Sequence, residues 1–177
     1  MSNTSTFCLA DSETQTGNIV SSLQSAGFAN DDISVLFPDK GSSRDFAHQK
    51  ETKLPEGATV GAGSGGVVGA GLGLLAGIGA LAIPGFGPFI AAGPIMAALG
   101  GGAIGAGVGG IAGGLIGLGI PEFEAKRFEG KIKDGGILIS VHCENATEIK
   151  TAKEIFKAAD ASDISSTGES AADLAKV

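Results

Sequence analysis

The chain has 177 residues, a net charge of −7, and neither Trp nor Tyr. An acidic balance without a basic cluster argues against a nucleic-acid surface. Two cysteines are too few for a disulfide framework and point to a reducing compartment. This length suits one small domain, or one domain carrying an insertion.

Met1-Ser2-Asn3-Thr4-Ser5-Thr6 has no basic region and no apolar run, so no cleaved signal peptide is expected. Thr6-Phe7-Cys8-Leu9-Ala10 reads as a short strand. Ser12 with Gln15 three residues on makes a capping box. It predicts a helix over 13–26 with Ile19, Val20 and Leu23 inward, and Gly27 suits the C′ position. Ile33, Val35 and Phe37 alternate in a second strand over 32–37. Residues 38–56 are polar and mixed in charge, and read as a linker.

Residues 57–120 hold no charged side chain and about 24 of the 31 glycines. Gly61, Gly65, Gly69, Gly73 and Gly77 are spaced by four, as are Gly101, Gly105, Gly109, Gly113 and Gly117. On an α-helix each run draws a stripe down one side. Pro84-Gly85-Phe86-Gly87-Pro88 should turn the chain between them. The pattern predicts two helices, over 60–83 and from residue 89 or 94 to 120. They would pack through glycine faces as a membrane hairpin. At 1.5 Å per residue the first would be roughly 36 Å long, enough to cross a hydrocarbon core. A buried hairpin in a soluble oligomer and a flexible low-complexity linker are the competing readings.

Pro121 opens a helix over 122–133, with Glu122 and Glu124 in its first turn and Phe123, Ala125, Phe128 and Ile132 on an apolar side. Asp134-Gly135-Gly136 stops it. Residues 137–143 form the clearest strand. Asn145 with Glu148 caps a helix over 146–159, and 162–166 is the last strand. The 169–177 tail reads as loose. Both halves run helix end, short turn, Asp-Ile-Ser: Asp32-Ile33-Ser34 and Asp163-Ile164-Ser165. Two βαβ repeats in one sheet are the ferredoxin-like arrangement. The fold class expected is therefore α+β, a ferredoxin-like split βαβ sandwich interrupted by a two-helix glycine-zipper transmembrane hairpin. Its parts are 5–37, linker 38–56, hairpin 57–120, second half 121–168 and tail 169–177.

The stretches Asp32-Ile33-Ser34-Val35-Leu36, the glycine register 61–117 and Gly135-Gly136-Ile137-Leu138-Ile139-Ser140-Val141 carry a likeness. Over about residues 7–168 the chain resembles the bacterial general stress, or heat-induced, proteins of the YflT-type domain. That resemblance implies a membrane-associated bacterial protein linked to stress, and it brings no catalytic residues with it.

Chemistry is sparse. The Gly-x-Gly spacings within 61–66 follow no strand and lack the acidic partner of a dinucleotide site, and there is no Walker lysine. Two histidines and two cysteines do not make a zinc motif. No cofactor, metal or catalytic residue is expected. One constellation remains. If Phe7 and Leu9 face the core together with Ile137, Ile139 and Val141, then Cys8, Ser140 and His142 share an open sheet face. There they would form a reactive thiol or partial metal site, or stand as an ordinary surface Cys and His. Cys143 would point the other way, so no Cys8–Cys143 bridge is expected.

Lys40, Arg44, Lys50 and Lys53 precede the uncharged block, and Lys126, Arg127, Lys131 and Lys133 follow it. Basic flanks on both sides place both termini in the cytoplasm under the positive-inside rule. The function expected is that of a non-enzymatic, stress-associated protein anchored in the bacterial inner membrane. Its partners would be the lipid bilayer and further copies of itself. The alternative is an accessory subunit of a larger membrane redox or transport complex. An enzyme would need a pocket around Cys8, Ser140 and His142.

Overall fold

Strand β1 (Thr4–Ala10) is buried along nearly its whole length, so it shows no polar/apolar alternation. A sheet that reads this way has both faces covered. Helix α1 (Glu13–Ser25) follows the expected cap: Ser12 Oγ accepts the Gln15 N–H at 3.2 Å. The return bond goes from the Asp11 N–H to Gln15 Oε1 at 2.8 Å, one residue earlier than in a standard box. At its other end Gly27, at φ +99°, donates to Gln24 O, and the Phe28 N–H donates to Leu23 O. That is a Schellman closure, with Phe28 and Leu23 as the apolar pair that accompanies it. A 3₁₀ turn (Asn30–Asp32) leads into β2 (Ile33–Pro38). The structure, a computed structural model, describes residues 4–38, 79–83, 87–93, 95 and 110–168.

The middle of the chain departs from the two-helix hairpin. Gly79–Ile83 is strand β3 and Gly87–Ala92 is strand β4. They pair antiparallel from Gly79↔Ala91 to Ile83↔Gly87, and β4 pairs with β2 from Val35↔Ala92 to Pro38↔Phe89. The proline–glycine cluster does reverse the chain, but between strands. Two effects favour this outcome. Glycine costs a helix about 1 kcal/mol relative to Ala, so little propensity resists extension. Laying β4 beside β2 satisfies the β2 backbone and buries Phe89 and Ala91. The bend after β4 is tight. Gly93 has φ +75°, and a Cβ there would lie 2.3 Å from Ile33 O, so only glycine fits.

Of the second expected helix, the described part is α2 (Gly110–Gly117), eight residues long. No helix among the described residues is long and apolar enough to cross a membrane. The hairpin tip expected on the far side of a bilayer falls between β3 and β4, two strands of the sheet, with residues 84–86 outside the described residues. Gly61, Gly65, Gly69, Gly73, Gly77, Gly101, Gly105 and Gly109 lie outside the described residues.

The second half keeps its expected elements: α3 (Glu122–Lys133), β5 (Ile137–Cys143), α4 (Ala146–Ala158) and β6 (Ser162–Gly168). Asn145 Oδ1 accepts the Glu148 N–H at 3.0 Å. α4 repeats the α1 closure with Asp160, at φ +55°, in the glycine position.

Among the described residues the sheet has six strands, ordered β3-β4-β2-β5-β1-β6, all antiparallel to their neighbours. The two βαβ units interleave, since β5 of the second lies between β1 and β2 of the first. α1 and α4 cover one face, over Cys8, Ala10, Val35, Ile139 and Val141. α2 and α3 cover the other, over Phe7, Leu9, Leu36 and Leu138. On that second face the Phe7 and Phe128 rings sit 6.3 Å apart at 41°.

Candidate functional site

The register separates the expected constellation. Cys8 stands opposite Ile139, while Phe7 stands opposite Ser140 and Ser5 opposite His142. Cys8 therefore faces α1 and α4, and Ser140 and His142 lie on the other side of the sheet. The expectation placed Phe7 and Leu9 on the same face as Ile137, Ile139 and Val141. In fact Leu9 pairs with Leu138, a one-residue shift that flips every side chain. Neither face is open.

Cys143 is also corrected: it shares the Cys8 face. Both thiols are buried and unbridged. Cys143 stands opposite Thr4, four residues along β1 from Cys8. At 3.2–3.4 Å per residue the thiols are roughly 13 Å apart along the strand, beyond disulfide reach. Burial pushes the Cys8 thiol well above its ordinary range, so it stays protonated and unreactive near neutrality.

What the second face does bring together is a row of hydroxyls and charges beneath α2 and α3. Ser34 Oγ accepts the Ile95 N–H at 3.3 Å. Thr167 Oγ1 donates to Gly119 O at 3.0 Å, and Ser165 Oγ donates to Glu124 Oε2 at 2.6 Å. Arg127 and Lys131 both grip the Asp163 carboxylate, which is only 10% exposed. Glu124, Arg127 and Lys131 follow one another at i, i+3 and i+7, so one side of α3 rides along β6. Glu129 Oε2 accepts the Ala112 N–H at 2.7 Å and so caps α2 from outside it. These polar groups act as fasteners. No buried side-chain nitrogen or oxygen among the described residues lacks a partner, and no group of three or more His, Cys, Asp or Glu could hold a metal.

Two concave surfaces flank the first face. A groove of about 510 Å³ runs between α1 and α4, lined by Ser12, Thr14, Gln15, Asn18, Ser22 and Ile155 among others. Gln15 Nε2 donates across it to Ala159 O at 2.8 Å, tying the two βαβ units together. A smaller one, about 250 Å³, lies by Asp11, Glu13, Phe37 and Pro38.

The surface that stands out is the α2–α3 corner. Phe123 is 76% exposed and Ile116 41%. A Cβ on Gly113 or Gly117 would meet nothing within 4 Å, so the close packing expected at these two glycines is not supplied by any described residue. The uncharged block ends at this corner. Phe123 had been expected to turn inward with Ala125, Phe128 and Ile132, but only the latter three do.

No family model matches the chain, and neither a curated protein nor a solved structure matches it.

Proposed function

We propose that the chain is a non-enzymatic, stress-associated protein of the bacterial inner membrane, self-associating through glycine faces, with its ferredoxin-like core in the cytoplasm. The observation that carries this reading is the uncharged, glycine-registered block 57–120, which ends on an exposed apolar corner at Ile116 and Phe123. The likeness to the general stress proteins supplies the stress link. The sheet constrains how such a protein would meet a bilayer. Residues 39–78 leave from β2 and return to β3, and the chain from 96 to 109 links β4 to α2; all of these elements pack on one sheet. A single crossing by either segment would put paired strands in different compartments. The anchor would therefore enter and leave on the same side, as a re-entrant or interfacial element.

Carbonate washing and detergent extraction of membranes test this. Retention until detergent is added is the expected result; a defined species in the soluble fraction overturns the membrane reading. Gly69→Leu with Gly109→Leu should lower the assembly mass in detergent, and an unchanged mass would remove the glycine faces from the reading. The second reading, an accessory subunit of a membrane redox or transport complex, draws on the exposure of Phe123. Co-purification of a stoichiometric partner that is lost in Phe123→Ser would favour it.

A further inference from the structure

Among the described residues β3 and β6 are the two edge strands of the sheet, and they are built differently. The β6 edge carries several devices that discourage a further strand. Its pairing with β1 shifts register between Phe7 and Leu9, Asp163 adopts φ +50°, and a charge sits within the strand. The β3 edge has none of these. Gly79-Ala80-Leu81-Ala82-Ile83 holds no charge and no proline, and its pairing with β4 runs without a bulge.

Two prolines set the phase of the ladder. Proline has no N–H to give, so Ala82↔Pro88 is a non-hydrogen-bonded pair on the β3 side of β4. Pro38↔Phe89 is one on the β2 side. These two assignments agree, because a residue bonded to one neighbour strand is not bonded to the other at that position. Gly79, Leu81 and Ile83 then direct their backbone groups at β4. Ala80 and Ala82 direct theirs outward, symmetrically about Leu81.

We infer that this edge pairs with the β3 edge of a second copy, antiparallel about a two-fold axis at Leu81, extending one continuous sheet across two chains. The strand is its own complement. Ala80 would bond Ala82 of the other copy and the reverse, on the order of four backbone hydrogen bonds, with Leu81 facing its own counterpart. The inference deepens the self-association part of the proposed function and does not depend on its membrane part.

Full-length Leu81→Cys tests it directly. A non-hydrogen-bonded antiparallel pair places Cα atoms about 4.5 Å apart, within disulfide range. The native thiols are buried and contribute little background. Mild oxidation should convert most of the protein to a covalent dimer, while Ser166→Cys on the β6 edge forms no covalent cross-link. Ala80→Pro with Ala82→Pro removes only outward N–H groups, which edge strands tolerate. It should halve the assembly mass and leave the circular dichroism spectrum in place. Absence of the Leu81→Cys dimer overturns the pairing, as does an unchanged mass in a folded proline variant. A dimer that persists in the Gly69→Leu, Gly109→Leu background separates this interface from the glycine faces, whether the protein is found in membrane or soluble fractions.

Discussion

The two faces of the sheet bury similar apolar sets by different means. On the first, α1 and α4 pack on Ile33, Val35, Ile139 and Val141, and each helix is joined to the strands it covers by a short turn. On the second, α2 and α3 arrive from within the long excursion between β2 and β5. They are fixed by Phe128 against Phe7 and by polar fasteners at Asp163, Ser165, Thr167 and Glu129. A layer delivered by a long connection has weaker positional constraint from the chain itself, and specific side-chain bonds supply the missing register. On the first face the long-range side-chain bonds include the Gln15–Ala159 tie and a buried contact between Thr6 Oγ1 and Cys143 Sγ at 3.7 Å.

The largest test of this contrast is the pair Phe128→Ala and Phe156→Ala. Both rings are fully buried, one on each face, and each loss should cost about 3–5 kcal/mol by denaturant midpoint. If Phe128→Ala costs less than about 1 kcal/mol, the second layer is not a true core. Hydrogen exchange sharpens the point: α3 amides should open at lower free energy than α4 amides.

Gly93→Ala comes next. Its Cβ would meet Ile33 O at 2.3 Å in a left-handed backbone, and a loss of roughly 1–3 kcal/mol is expected in thermal melts. A neutral result would remove the tight bend from the account of β4. Asp163→Asn keeps a side chain that tolerates the left-handed conformation and removes the charge. A loss of about 1–3 kcal/mol is expected, since the carboxylate is nearly buried between Arg127 and Lys131. Arg127→Ala alone, on a half-exposed side chain, should cost under about 1 kcal/mol. Equal effects of these two changes would mean that the clasp is not organised around Asp163.

The smallest effect is at Cys8, on the first face. Its thiol is raised in the folded chain, so the unfolded chain loses its proton first as pH rises. The contribution is complete below the ordinary thiol range and declines above about pH 8.5. Cys8→Ala should flatten that alkaline decline in a pH series of unfolding midpoints. An unchanged slope would rule out Cys8 as its source.

Legibility in the sequence followed local chemistry. Pro121 with Asp134-Gly135-Gly136 bracketed α3, and the Asn145–Glu148 cap opened α4, so both were readable without any knowledge of packing. The hydrophobic run 137–143 was readable as a strand for the same reason. The β3–β4 hairpin was not. The glycine registers end at Gly77 and resume at Gly101, so residues 79–92 lie outside both, and the helix reading was carried over them by extension. This stretch has no charged residue, so no polar face marked it as helix or strand. The facing of Cys8 failed differently. With both faces covered, β1 and β5 are apolar on each side, and only the cross-strand register distinguishes them. The fasteners on α3 were hidden because Asp163, Arg127 and Lys131 lie on elements whose proximity depends on the strand order.

The position of β5 between β1 and β2 has a consequence for synthesis. The N-terminal unit emerges first with a slot one strand wide at its centre, because β1 and β2 do not pair with each other. The residue that closes it opposite Leu36 is Leu138, about 100 residues later in the chain. Until then the apolar strands Thr4–Ala10 and Ile33–Pro38 have no partner between them, while the whole glycine-rich stretch is being made. The nascent chain is thus sticky for much of its translation, and a chaperone or a nearby surface that holds it would act before β5 is made.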